Sequence, residues 1–93
     1  MKTLKIMGVQ YQINFVDDNT RTDCAMGRMD SKAAIININK SMPEDNQRVT
    51  LLHEVMHCLS EMLNLELTEK RIAGLSTGIF EVMEINQYYF QGM

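Results

Sequence analysis

His53-Glu54-Val55-Met56-His57 spells H-E-x-x-H and lies within the longest helical pattern of the chain. Residues at i and i+4 of a helix stand one above the other on the same face. His53 and His57 can therefore direct two imidazoles at one metal ion. Glu54 sits one step round the helix, at the edge of that face, where its carboxylate can hydrogen-bond a water and take its proton. Two imidazoles, a carboxylate and a water make a catalytic rather than a structural zinc site, so one Zn2+ per chain is expected. The chain holds two histidines, both in this motif. Placed at random, two histidines fall four apart about one time in fifty, and the Glu after the first makes the pattern rarer still. The bland alternative is a half-exposed helix that happens to carry two histidines.

The composition narrows the class of protein. Ninety-three residues make a single small domain over 1–93, whose core is too small to leave stability in excess. A bound metal would contribute to its folding. The net charge is −3 with no basic block, which argues against a dedicated nucleic-acid binder. No stretch approaches the length of a membrane span. The N-terminal Met1-Lys2-Thr3-Leu4-Lys5-Ile6 lacks the apolar region of a signal peptide, so a cytoplasmic location is expected. Cys24 and Cys58 could form one disulfide, but nothing indicates an oxidising compartment. Cys58 follows His57 and points about 100° away round the helix, so it reads as a small buried thiol. Met56, Met62 and Met83 read as core filler.

Taken in order, residues 3 to 16 alternate as strands do: Leu4 and Ile6, then Val9, Tyr11, Ile13 and Phe15, with Gly8 at a tight turn between them. Residues 17 to 20 read as a loop. Cys24, Met26 and Met29 can form a short strand in which Gly27 allows a bulge or turn. Residues 33 to 39 read as another strand, short and polar on one side as at a sheet edge. Ser41, Pro43 and Glu44 form a helix start, with Ser41 and Glu44 as a capping box. The helix then runs from 43 to 64, and Leu52, Val55, Met56, Leu59 and Leu63 are expected to pack on the sheet. Thr68 caps a second helix over 69 to 84, with Ile72, Leu75, Ile79 and Val82 as its buried stripe. The expected fold is α+β: a three- or four-stranded, mainly antiparallel sheet packed on the H-E-x-x-H helix, closed by the C-terminal helix.

A catalytic zinc needs a third protein ligand, and no histidine remains, so a carboxylate must supply it. Glu61 starts about 6 Å further along the same helix than His57 and would have to fold back. Glu66 lies in the connection between the helices. Glu69 opens the second helix on its inward side and can reach across to His57. Glu69 is the favoured ligand, with Glu66 the alternative.

These segments together resemble the ImmA/IrrE-type zincin-like metallopeptidases of bacterial phages and mobile elements, over about residues 27 to 86. Gly27-Arg28-Met29-Asp30 followed by Ile36-Asn37-Ile38 is similar to that family's edge-strand region, and Thr50 to His57 to its active-site helix. Glu69-Lys70-Arg71-Ile72-Ala73-Gly74-Leu75-Ser76 resembles its E-x-x-A-x-x-F-A segment, whose Glu is the third metal ligand. The chain departs from the family in lacking the helix that larger members carry before the sheet, and in Ile72 and Leu75, which replace a small and an aromatic residue. The resemblance implies a zinc-dependent, gluzincin-like endopeptidase of narrow range that cleaves a repressor-like regulatory protein.

In that chemistry Glu54 is the general base, with His53, His57 and Glu69 on the metal. Tyr88 or Tyr89 could stabilise the oxyanion, and the strand over 35 to 39 could align a peptide along a free edge. The competing class is a non-catalytic binding module of a phage or mobile element that keeps the metal as a staple. Retention of Glu54 favours the enzyme, because a structural site needs no base.

Overall fold

The computed structural model describes residues 2–17 and 27–87. The expectations placed on residues 18 to 20, Cys24, Met26, Tyr88 and Tyr89 lie outside this range. Four strands and two helices follow in the order β1 (Lys2–Ile6), β2 (Val9–Val16), β3 (Gly27–Asp30), β4 (Ile35–Asn39), α1 (Glu44–Met62) and α2 (Glu69–Ile85). β1 and β2 form the expected hairpin, in register from Lys2 opposite Ile13 to Ile6 opposite Val9. Met7 and Gly8 close it with φ of 49° and 85°. Positive φ at both central residues is what the right-handed twist of a two-residue hairpin requires, and glycine meets that requirement without a steric penalty.

The sheet order is β1-β2-β4-β3, with β2 and β4 parallel and both outer pairs antiparallel. The sheet is therefore mixed, and β4 is central rather than an edge. Its polar alternation has another cause. Ile36 and Ile38 are fully buried on the helix side. Asn37 faces the opposite side of the sheet, where its Oδ1 accepts from Asn14 Nδ2 at 3.1 Å. A strand with one open face reads as half-polar wherever it stands in the sheet. The edge beside β4 is β3. The strand also begins later than residue 33. Asp30 Oδ1 accepts from the backbone N–H groups of Lys32 and Ala33 at 3.0 and 3.2 Å, and this Asx turn occupies the segment read as strand.

Ile6, Tyr11, Ile13, Ile36, Ile38 and Cys58 form the core, and Leu51, Val55 and Leu59 of α1 pack against it. Each fully buried Ile contributes roughly 1.5–3 kcal/mol. The most deeply buried line of α1 is Thr50, Glu54 and Cys58, spaced by four. The sheet-facing stripe is thus rotated from the expected one: Leu52 and Met56 are half-buried and Leu63 is exposed. Burial pushes the Cys58 thiol up, which suits its packing role. The capping box of α1 does not form. Pro43 is the N-cap and has no side-chain acceptor, while the Ser41 hydroxyl donates to Asn39 Oδ1 at 2.7 Å. At α2 the cap forms as expected, with Thr68 Oγ1 accepting from Arg71 N at 3.2 Å.

Among the described elements, α2 packs on α1 and on no strand. Its inward line is Ile72, Ser76 and the half-buried Phe80, and Ser76 satisfies its hydroxyl on Ile72 O at 2.7 Å. Of the expected stripe only Ile72 is buried; Leu75, Ile79 and Val82 are exposed. A helix resting on one neighbour buries a narrow line, and here Ile72, Ser76 and part of Phe80 take it. Arg48 bridges to Glu84 at 3.0 Å and to Glu44 at 3.1 Å, so the helices run antiparallel. Among the described residues, no helix is long and apolar enough to cross a membrane.

Candidate metal centre

The first turn of α2 faces the middle of α1. Thr68 fixes the point at which α2 starts, and Glu69 is its first residue. That placement carries the Glu69 carboxylate to both imidazoles. His53 Nε2 lies 2.5 Å from Glu69 Oε1, and His57 Nε2 lies 2.8 Å from Oε2. The two rings stand 5.0 Å apart at 51°. One ligand atom from each of the three residues falls within 4.8 Å of the others, the arrangement of a site that could hold a metal ion. Two nitrogens and one carboxylate are the donors of catalytic zinc sites.

The spacing fits an ion with a small adjustment. Ligand atoms about 2.0–2.1 Å from a tetrahedral ion stand about 3.3 Å from one another. The His53–Glu69 and His57–Glu69 contacts of 2.5 and 2.8 Å are shorter than that, so the carboxylate would need to retreat, and its side chain, 68 % exposed, has the freedom to do so. The sequence-expected ligands His53, His57 and Glu69 are thus brought together. Glu66 is not among them. It lines a second cavity of about 310 Å³ with His57, Met29, Ser60 and Glu61, and is not in the group with His53 and Glu69.

Glu54 is held differently. It is 8 % exposed, one step round α1 from His53 and turned toward β3. Burial raises its carboxyl above the ordinary value, while the neighbouring His57 and His53 act in the lowering direction. Gly27 explains how β3 comes so close. A Cβ at that position would stand 2.7 Å from Thr50 Cγ2 and 3.4 Å from Glu54 Cγ. Glycine is therefore present for close approach of α1, not for the bulge or turn expected there.

His53, Glu54, His57 and Glu69 all line one open cavity of about 730 Å³, with Gly27, Thr50, Ala73 and Thr77 around them. The sequence pattern gives Gly27 only a bulge or turn and gives Thr50 no site role. The available signals were a glycine inside a strand pattern and a small residue one turn before Glu54 on the same helix line. Cys58, one residue past His57, belongs to the core and not to this group. No family model, no curated protein and no solved structure matches the chain.

Proposed function

We propose that the chain is a small zinc-dependent peptidase of the zincin-like type, acting on a protein or peptide substrate, as its resemblance to the ImmA/IrrE group of phages and mobile elements implies. The observation that carries the proposal is the position of Glu54: a largely buried carboxylate in the same cavity as two histidines and a second carboxylate that can share one ion. A structural metal site has no use for such a group.

His53, His57 and Glu69 would hold the ion. Zinc bound there supplies Lewis acidity, lowering the pKa of a coordinated water to about 7 and polarising a carbonyl oxygen. Glu54 accepts the proton as the water oxygen bonds to the substrate's carbonyl carbon. It then delivers that proton to the amide nitrogen as the C–N bond breaks. Burial makes the carboxylate a better base than an exposed one, which suits this task. β3 pairs with β4 among the described strands, and its Gly27 lines the cavity. The strand over 35 to 39 offers no free edge for a peptide, because β4 pairs with both β2 and β3.

The test is Glu54→Gln, which keeps shape and hydrogen bonding but cannot accept the proton. Wild type and variant are expressed in bacterial cells, and the terminal peptides of all proteins are compared. Metal content should be unchanged in the variant, and cleavage should fall by at least ~10²-fold, as when a general base is removed. Identical peptide profiles from folded, zinc-loaded proteins would move the assignment to a metal-stapled binding module.

A further inference from the structure

The outward face of α2 is built for another helix, and we propose that its occupant is the same face of a second copy of this chain. Arg71, Gly74, Leu75, Gly78, Val82 and Ile85 follow spacings of three and four and so share that face. Leu75, Val82 and Ile85 are 45, 50 and 74 % exposed. With Ile79 and Met83, Leu75 and Val82 border an apolar groove of about 490 Å³ whose floor is Gly74 and Gly78. Contiguous apolar surface of this kind on so small a domain marks an interaction site.

Among the described residues, no neighbour requires either glycine. Both lie inside a helix, where glycine is disfavoured, and a Cβ at either would meet nothing within 4 Å. Two glycines one turn apart instead allow a second helix backbone to approach closely, since interaxial distance is set by the side chains at the contact.

Charge selects the partner. Arg71 stands at one end of the face and Glu81 borders its other end, both exposed, and neither side chain has an ion-pair partner among the described residues. Consider a two-fold axis across α2 at the level of residue 76. It sets Gly74 against Gly78 of the other copy, and Arg71 against Glu81 of the other copy, each contact occurring twice. A two-fold interface must be self-complementary in this way. The antiparallel arrangement also opposes the two helix dipoles. A lipid surface fits less well, because the chain is net negative and the face carries one charge of each sign.

The face is opposite the line of Ile72 and Ser76, so pairing leaves Glu69 directed at α1 and the metal cavity open. It also braces α2, which among the described elements rests on α1 alone. One helix face buries on the order of 400 Å² per copy, about half of a standard interface. The expected dimer is therefore weak and depends on concentration.

The experiment is sedimentation of the full chain between about 5 and 500 μM, a range that brackets weak association. The weight-average mass should rise from that of one chain toward that of two. Gly78→Leu should weaken association at least tenfold without lowering the melting temperature of the monomer, because its side chain has room there. Arg71→Glu and Glu81→Arg should each weaken it several-fold, and the two together should restore it. A wild type that stays monomeric at the highest concentration overturns the proposal. So does failure of the double charge reversal to restore what the single reversals remove, or a dimer that forms only after residues 88–93 are deleted. That last result would place the chain's own tail on the face.

Discussion

Replacing Gly27 by Ala probes the contact that brings the sheet to the site. The new methyl would lie 2.7 Å from Thr50 Cγ2, 3.3 Å from the Asn37 carbonyl oxygen and 3.4 Å from Glu54 Cγ. Carbon atoms in contact prefer about 3.5–4.0 Å, so the overlap with Thr50 is about 1 Å. Thr50 is buried in α1 and the carbonyl belongs to the central strand, so neither can yield cheaply. Overpacking of this kind costs about 1–3 kcal/mol. Removing a strand glycine recovers about 0.5–1 kcal/mol, which leaves a net loss of about 1–2 kcal/mol. For a domain of this size about 1 kcal/mol moves Tm by about 4–8 °C, so a fall of roughly 5–15 °C is expected by calorimetry. Thr50→Ser removes the clashing methyl and should cost about 0.8 kcal/mol alone. Combined with Gly27→Ala it should restore part of the loss, giving a coupling of about 1 kcal/mol in a double-mutant cycle. The strand also presses on Glu54, so Gly27→Ala should depress proteolysis more than its fraction unfolded explains. An alanine variant as stable as wild type, or a cycle without coupling, would refute the close-approach account.

His57→Ala should abolish binding of one zinc per chain and Glu69→Gln should weaken it strongly, whereas Glu66→Ala should leave it nearly intact; metal analysis after gel filtration reads all three. Saturating zinc to about 100 times its Kd should stabilise the protein by about 2.7 kcal/mol, and a chelator should reverse the gain. In the metal-free protein, burial raises the Glu54 carboxyl above 4.5. The folded state then keeps that proton to higher pH than the unfolded chain, so this group's penalty is absent below about 4.5 and grows as pH rises through the folded value. Metal-free Glu54→Gln should accordingly melt higher than metal-free wild type at neutral pH and equally at about pH 3.5. Thr68→Ala removes the acceptor for Arg71 N, and should cost about 1 kcal/mol and lower metal affinity by freeing the turn that carries Glu69.

The local content of the chain was legible because local rules govern it. Helix periodicity put His53 and His57 on one face, Thr68 marked the start of α2, and Gly8 marked the hairpin. Glu69 could be favoured over Glu66 because a short connection limits which carboxylate returns to α1. The arrangement of the sheet was not legible. The polar side of β4 reads the same at an edge or in the centre when one sheet face is open, and only pairing with both β2 and β3 places it inside. The capping box failed because the chain enters α1 through Pro43, leaving Ser41 bonded to Asn39. The burial of α2 was misjudged because hydrophobicity does not state how many neighbours a helix has. With α1 alone beside it, Ile72 and Ser76 suffice inside and the larger apolar residues remain outside. The depth of Glu54 was decided in the same way. The sequence by itself determined that His53 and His57 could meet one metal, since spacing along one helix does that, whereas the meeting of Glu69 with them was decided by how α2 packs on α1. Only the tertiary structure decided that Glu54 is largely buried, because β3, which comes close to it at Gly27, lies far from it along the chain.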